Sequence, residues 1–227
     1  MLIEGGRGPV LVVAPHPDDE TLGAGGFLLR ARAAGRPIHW LIATAITEAD
    51  GWPAEKVARR AREIDAVAAA FGFAGVHHLG FPAARLDRIA MGDLVGAVGA
   101  VARAVAPDIL ILPHRGDAHS DHQMVHDAGI ACAKWFRYPA TRWTLVYEAL
   151  SETDASLRTA EPFRADVFVD IATHLEEKLR IAEMFGDEIR PFPFPRSIAA
   201  LRAQAALRGA ACGAEAAEAF MLLRGRV

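Results

Sequence analysis

The stretch VVAPHPDDETLGAGG, residues 12–26, joins a hydrophobic run to a cluster of one histidine and three acids. The hydrophobic run, residues 9–14, is rich in valine and predicts a short buried strand. Residues 20–34 then carry apolar side chains at helical spacing and end beside Gly35, which predicts a helix with a glycine C-cap. The polar cluster therefore lies where a strand ends and a helix begins.

Short apolar runs alternate with helical patterns along the rest of the chain. The predicted strands are residues 38–45, 76–79, 108–112, 142–149 and 166–171, and the predicted helices are residues 54–71, 92–106, 121–136, 172–186 and 197–208. This alternation predicts βαβ units and a parallel sheet, and near-continuous apolar strands indicate cover on both faces. No linker clearly divides the chain, so we expect a single α/β domain over residues 1–227 with a helical C-terminal part.

Between the last two predicted helices lies RPFPFPRS, residues 190–197, whose three prolines exclude the interior of a helix. We expect an ordered surface segment there, at the rim of an active site. Phe192 and Phe194 leave two interpretations open: an apolar rim for a lipid or aglycone, or packed core.

The composition excludes several classes of protein. Hydrophobic residues make up 52% of the chain, which excludes a disordered protein, and a net charge of −3 without a basic tract argues against a nucleic-acid partner. No signal peptide and no apolar run of about 18 residues is visible, so we expect a cytoplasmic protein without a membrane span. Cys132 and Cys212 are far apart and predict buried thiols rather than a disulfide or a metal site. Whether the chain forms a homo-oligomer stays open.

A second polar segment, PHRGDAHSDHQMVHDA at residues 113–128, also follows an apolar strand and leads into a helix. Ligands of open α/β sheets bind beyond the carboxyl ends of the strands, at a switch point of the topology. If the first and fourth strands are neighbours, both segments converge there, and two histidines with Asp19 provide the three ligands of a catalytic zinc. Such a zinc ion lowers the pKa of its bound water from about 15.7 to roughly 7. Asp18 is then placed to take the proton of that water, and a further histidine to stabilise the oxyanion or protonate the amine.

The same motifs also have other interpretations. The acids at the start of the first helix also favour its dipole, so they are compatible with simple capping. Gly23 to Gly26 superficially resemble a dinucleotide-binding loop, but their spacing is not G-x-G-x-x-G, and close packing of the helix is expected instead. No G-x-S-x-G elbow indicates a serine hydrolase. Among the remaining histidines, His114 and His126 are expected to support the site or lie at the surface, and His77 and His78 to be structural.

The two paired motifs carry a family resemblance. HPDDE after the first strand, followed by HSDH at residues 119–122, resembles the LmbE-like (PIG-L) family of metal-dependent N-acetylglucosaminyl deacetylases. Residues 59–73, 79–87 and 208–220 are similar to further parts of the family pattern. The resemblance implies a Rossmann-like, mostly parallel sheet and a zinc-dependent hydrolase, with another divalent ion as an alternative. The implied reaction removes an acetyl or other acyl group from an amino sugar or its conjugate, although the particular substrate is not identified.

The resemblance also implies roles for individual residues. His16, Asp19 and His122 would bind the metal, Asp18 would be the general base, His119 would stabilise the tetrahedral intermediate and assist the leaving amine, Asp121 would orient His119 through a hydrogen bond, and Arg60 would bind the sugar, with Arg59 and Arg62 as competing candidates. The chain departs from the family pattern at Ala83, at residues 44–51 and at Ser120. Two alternatives remain: a nucleotide-binding enzyme of Rossmann type, and a non-catalytic sugar-binding relative of the deacetylases.

Overall fold

The computed structural model describes residues 3–4 and 6–227, and this part of the chain contains seven strands and six α-helices. In chain order they are β1 (Val10–Ala14), α1 (Asp19–Ala33), β2 (Ile38–Ala45), α2 (Ala54–Phe71), β3 (Gly75–Pro82), α3 (Met91–Val105), β4 (Ile109–Pro113), α4 (Ser120–Ala131), β5 (Trp143–Tyr147), β6 (Val167–Asp170), α5 (Leu175–Ala182), α6 (Ile198–Cys212) and β7 (Ala217–Gly225). Single 3-10 turns occupy Glu48–Asp50, Leu86–Arg88 and Ala172–His174.

The strands form one sheet in the order β3-β2-β1-β4-β5-β7-β6. Strands β1 to β5 are parallel, and β7 runs antiparallel to both of its neighbours. Strand β1 pairs with β4, with Val10 opposite Ile109, so the direction in which the chain adds strands reverses between them. The α/β prediction is thereby confirmed, together with the expected neighbourhood of the first and fourth strands.

Alternate residues of the central strands face two separate apolar cores. Val12 of β1 and Trp40 of β2 pack with α1 and α2 on one face, whereas Val13 and Leu41 pack with α3 and α4 on the other. All four side chains are fully buried. Strands covered on both faces have no polar side to present to water, which is why their sequences are continuous apolar runs rather than alternating ones.

The C-terminal part differs from the expectation of a helical region. Residues 217–225 form strand β7, which lies between β5 and β6 in the sheet. Alanine and glutamate favour helix locally, but pairing with two strands and burial of Phe220 override this weak preference. Two predicted helices are also too long: α4 ends at Ala131, and α5 has only eight residues.

The glycines of α1 allow close packing, as expected from the sequence. A Cβ atom on Gly23 would lie 2.2 Å from the ring of Tyr147, and one on Gly26 would lie 2.6 Å from the side chain of Ile171. These positions serve contact between the helix and its neighbours rather than a phosphate loop. This packing fixes the helix whose first turn carries the acidic motif.

Two smaller expectations have mixed outcomes. No helix in the described part of the chain is long and apolar enough to cross a bilayer. Both cysteines are free; Cys132 is buried as predicted, but Cys212 is exposed at the end of α6, so the prediction of a buried thiol is wrong there.

Candidate active site

Two loops bring the polar motifs together at one edge of the sheet. The first follows β1 and carries His16 to Asp19, and the second follows β4 and ends in the first turn of α4. Because β1 and β4 are adjacent and parallel, their carboxyl ends meet at the same edge. The two loops therefore converge, as the sequence predicted.

The three predicted metal ligands form one compact cluster. The Nε2 atom of His122 lies 3.3 Å from Oδ2 of Asp19, and Nδ1 of His16 lies 3.4 Å from the same oxygen. One ligand atom from each of the three residues lies within 4.8 Å of the others. Asp19 and His122 are buried, whereas His16 is partly exposed, so the cluster opens to solvent on one side.

The bonding of His122 fits a bound cation. Its Nδ1 atom donates to the carboxylate of Asp117 over 2.7 Å, which leaves a lone pair on Nε2 of the neutral ring. This buried Nε2 makes no hydrogen bond to any residue that the structure describes. Facing the Asp19 oxygen at 3.3 Å, this nitrogen requires a positive charge between the two atoms, either a proton on the ring or a metal ion. The donor set of two imidazoles and a carboxylate suits zinc or a similar divalent ion.

Electrostatics at the cluster favour positive charge. Burial acts to lower the pKa of His122, but the carboxylates of Asp19 and Asp117 outweigh it and raise this pKa well above its usual value. Burial acts to raise the pKa of Asp19, but the neighbouring His122 and His16 hold it far below its ordinary range. Asp19 is therefore an anion, and its surroundings are arranged for a cation.

Asp18 differs from the adjacent Asp19 in both charge and backbone. Burial, followed by the charges of Asp19 and Glu188, raises the pKa of Asp18 to about 7. Its φ of 150° and ψ of −30° lie in a region that non-glycine residues rarely adopt. Its carbonyl oxygen accepts hydrogen bonds from the backbone N–H groups of Thr21 and Leu22, which fixes this conformation. A carboxyl group with a pKa near neutrality is suited to take up and release a proton.

Asp121 and His119 are joined by a hydrogen bond, but not through the carboxylate. The backbone N–H of Asp121 donates to Nδ1 of His119 over 3.1 Å, which makes Nε2 the protonated nitrogen of the neutral ring. The carboxylate of Asp121 instead lies 3.0 Å from Nε2 of His16 and accepts from the N–H groups of Ala84 and Leu86. The hydrogen bond expected between Asp121 and His119 is therefore made by the backbone N–H of Asp121, and its carboxylate contacts His16 instead.

A cavity of about 520 Å³ opens beside the cluster. Its lining includes Asp18 and His119, together with Trp52, Lys56, Val57, Arg60, Ala61 and Ile64 from the α2 side. Among the three competing arginines, Arg60 lines the cavity, whereas Arg59 pairs with Asp187 and Arg62 is exposed. The structure thus brings the predicted base, the predicted acid and Arg60 to one space.

The guanidinium of Arg60 is already engaged by protein groups. One Nη donates to the carbonyl of Pro17 over 2.9 Å, the other donates to Glu188 over 2.5 Å, and Nε lies 3.3 Å from Glu63. Arg60 therefore ties α2 to the loop that carries Asp18.

Several residues of the site were not predicted from the sequence. Asp117 lies inside the second polar segment, five positions before His122, and accepts a further hydrogen bond from Thr153. Glu152 accepts from the backbone of His119 and lines the cavity. The spacing of Asp117 within the segment was a usable signal, but Glu152 lies in a stretch without any motif.

The proline-rich segment contributes one side chain to the cavity. Arg196 lines the wall and donates to Glu188 over 3.0 Å, so the prediction of a rim is right at this position. Phe192, in contrast, is 71% exposed and is neither packed core nor part of the cavity lining.

The remaining histidines are distributed differently from the expectation. His114 and His126 are buried and bind backbone carbonyl oxygens. His78 lines the cavity, so it is not merely structural, and His77 lies against His39.

Comparison with known proteins agrees with this geometry. The model of the PIG-L family, described as GlcNAc-PI de-N-acetylase, matches residues 11–133, which is more than half of the chain and includes both polar motifs. The chain belongs to the PIG-L family. The match covers β1 to α4 and therefore the six residues of the predicted catalytic and metal cluster.

Individual relatives extend the likeness beyond the matched segment. The 2'-N-acetylparomamine deacetylase of Streptomyces fradiae is 29% identical over 214 residues, covering 80% of this chain and 74% of the relative. The N,N'-diacetylchitobiose deacetylase of Pyrococcus horikoshii has a TM-score of 0.76 at 19% identity, covering 96% of this chain and 84% of that one. The 4-carboxy-2-hydroxymuconate hydratase of Pseudomonas putida KT2440 has a TM-score of 0.71 at 18% identity, covering 97% and 98%. Fold alone is thus compatible with more than one reaction.

Proposed function

We propose that this PIG-L protein is a zinc-dependent N-deacetylase acting on an N-acetylated amino sugar or amino-sugar conjugate. The observation that carries the proposal is the pairing of an ionisable Asp18, whose pKa is raised to about 7, with the His16, Asp19 and His122 cluster next to it. A carboxyl group with a pKa near neutrality beside a cation site is suited to a hydrolase that activates water. The 2'-N-acetylparomamine relative and its 29% identity support amide hydrolysis as the reaction.

The residues of the chain divide the work of amide hydrolysis. When bound, a divalent metal would supply a Lewis acid that polarises the carbonyl and acidifies water. The oxygen of water adds to the carbonyl carbon of the amide, and Asp18 accepts the proton that this water releases. The C–N bond then breaks as the proton held by Asp18 passes to the leaving nitrogen, so that the amine leaves, acetate remains and Asp18 is regenerated. His119, whose Nε2 carries the hydrogen of the neutral ring, donates a hydrogen bond to the developing oxyanion.

Burial supports a donor role for the neutral form of His119. Burial is the largest cause that lowers the pKa of His119. A ring with a lowered pKa is neutral at physiological pH, so its Nε2–H is available as a hydrogen-bond donor.

The size and lining of the cavity suit a substrate larger than an acetamide group. The cavity of about 520 Å³ combines an apolar wall from α2 with the charged side chains of Glu188 and Arg196. Sugar rings present both apolar faces and hydroxyl groups, so this mixture fits them. In this proposal Arg60 positions the loop after β1 through the carbonyl of Pro17 and forms part of the cavity wall. The proposal also includes a direct contact between Arg60 and the sugar.

The test is a screen of N-acetylated sugars and glycosides with zinc-loaded protein, detecting both free amine and acetate. We expect equal amounts of the two products, loss of activity after chelation, and its recovery with Zn²⁺. Asp18→Asn should retain metal and lose roughly 10²–10⁴-fold in turnover. Activity that is independent of metal would contradict the proposal. Sugar binding without amine release would favour the non-catalytic alternative, and saturable NAD binding would favour the nucleotide-binding one.

A further inference from the structure

A pair of histidine side chains outside the candidate active site lies on the adjacent strands β2 and β3. His39 of β2 lies opposite Gly75 of the edge strand β3 in the parallel register. His77 lies two residues after Gly75, so its side chain is on the same face of the sheet as that of His39. Both side chains are half-buried.

The two imidazole nitrogens are spaced for a shared ligand. Nδ1 of His39 lies 3.3 Å from Nε2 of His77, and the ring centroids are 5.5 Å apart. Two nitrogens bound to one tetrahedral metal at about 2.1 Å are roughly 3.4 Å apart. Without a metal, the same distance permits a weak N–H···N hydrogen bond.

The glycine beside them leaves room for an ion. A Cβ atom on Gly75 would lie 2.9 Å from Nδ1 of His39 and 3.3 Å from Nε2 of His77. The space that any other residue would fill with a side chain therefore adjoins both nitrogens at once.

We propose that His39 and His77 form a second metal site that binds a divalent transition ion of the Zn²⁺, Ni²⁺ or Cu²⁺ type across β2 and β3. Imidazole ligands suit these ions, and the remaining coordination positions are open to water. Burial lowers the pKa of both histidines, so both rings are neutral at physiological pH, the state in which imidazole binds metal.

The proposed second site is separate from the candidate active site. Thr44 and Ala45 at the carboxyl end of β2 line the active-site cavity. His39 lies near the other end of that strand, roughly 16 Å away at about 3.3 Å per residue. His77 is next to His78, which lines the cavity, but successive side chains of a strand point to opposite faces of the sheet. Binding at the second site therefore does not depend on the proposed deacetylase activity.

The experiment measures the stoichiometry of metal binding. Protein saturated with Zn²⁺ at the active site is dialysed against increasing Ni²⁺, and both metals are quantified in the protein fraction. We expect about one additional Ni²⁺ per chain with the zinc retained, and a rise in Tm because the ion binds only the folded pair. His39→Ala and His77→Ala should each weaken this additional binding by roughly tenfold or more.

Gly75→Ala is the sharpest variant, because it keeps both imidazoles and fills the space between them. It should lose the additional Ni²⁺ as well. Gly92→Ala, where a Cβ atom meets nothing within 4 Å, and His174→Ala are the matched controls and should retain it. If His39→Ala or Gly75→Ala disturbs folding, His77→Gln tests the same site. The proposal is overturned if the wild type binds no additional Ni²⁺, or if folded variants and controls bind it equally.

Discussion

The carboxylate of Asp117 lies 2.7 Å from Nδ1 of His122, and both side chains are fully buried. The other carboxylate oxygen accepts the hydroxyl of Thr153 over 2.7 Å, so Asp117 has little freedom to turn. This contact sets the tautomer of His122 and directs its Nε2 lone pair toward Asp19. A carboxylate behind a ligating imidazole also increases the basicity of the ligand.

Asp117→Asn should therefore weaken metal binding without touching any proposed ligand. An amide can accept the same hydrogen bond but supplies no negative charge, so we expect roughly a 10–100-fold loss of Zn²⁺ affinity. Competition with a chromophoric chelator measures the affinity directly. Asp127→Asn, which loses a partly buried ion pair with Arg115, is the control and should bind zinc as the wild type does. Unchanged affinity in Asp117→Asn would remove the residue from this role.

The backbone conformation of Asp18 should lower the free energy of unfolding, and a glycine at this position should raise it again. A non-glycine residue at a φ of 150° costs on the order of 1–3 kcal/mol, and glycine avoids most of this strain. Both Asp18→Asn and Asp18→Gly remove the carboxyl group, so comparing them isolates the backbone term. We expect Asp18→Gly to unfold at higher urea concentration than Asp18→Asn, by about 1 kcal/mol. Equal stabilities would show that the conformation carries no strain.

The parallel part of the sheet and the proposed metal cluster could be predicted from the sequence, because both depend on local sequence patterns. Apolar runs between glycines and prolines marked β1 to β5, and the parallel arrangement made the two polar loops converge. Strand β7 was not predicted because AEAFMLLRG contains no β-branched residue, and its Ala, Glu, Met and Leu residues favour helix locally. Its pairing partners, β5 and β6, lie far away in the chain.

The walls of the cavity could not be predicted for a similar reason. Glu188 and Arg196 enter the cavity because the connection between α5 and α6 folds back onto α2. No spacing along the sequence encodes such a long-range contact. The hydrogen bonding of Asp121 is a finer example, because choosing between its carboxylate and its backbone N–H requires the positions of Ala84 and Leu86.

The buried carboxylate of Asp108 makes stability depend on pH at the opposite end of the sheet. Burial acts to raise its pKa, but hydrogen bonds from Arg142 and Arg36 outweigh this and lower it. A carboxyl group with a lowered pKa stabilises the folded state above its unfolded pKa of about 3.9, and this contribution is lost as the pH falls through the folded value. Asp108→Asn should therefore be less stable than the wild type at pH 7, by about 3 kcal/mol in urea unfolding.

The difference between Asp108→Asn and the wild type should begin to shrink below about pH 4, where the unfolded wild-type chain takes up a proton at this carboxyl, and its charge-dependent part should be lost once the pH falls below the lowered folded-state pKa. Glu176→Gln breaks an exposed ion pair with Arg202 and should change stability by less than about 0.5 kcal/mol. A constant difference across the whole pH range would argue that Asp108 acts through packing alone.

The adjacent acids Asp187 and Glu188 follow α5, and only Glu188 contacts the cavity. Glu188 lines the cavity between Arg60 and Arg196, whereas Asp187 pairs with Arg59 and is outside the cavity lining. Glu188→Gln removes the charge that both arginines share, so the wall loosens and hydroxyl groups of the substrate lose an ordered acceptor. With a substrate found in the deacetylation screen, we expect KM to rise by about tenfold, equivalent to ~1.4 kcal/mol, while Asp187→Asn leaves it unchanged. If both variants raise KM equally, the segment acts only as a structural brace.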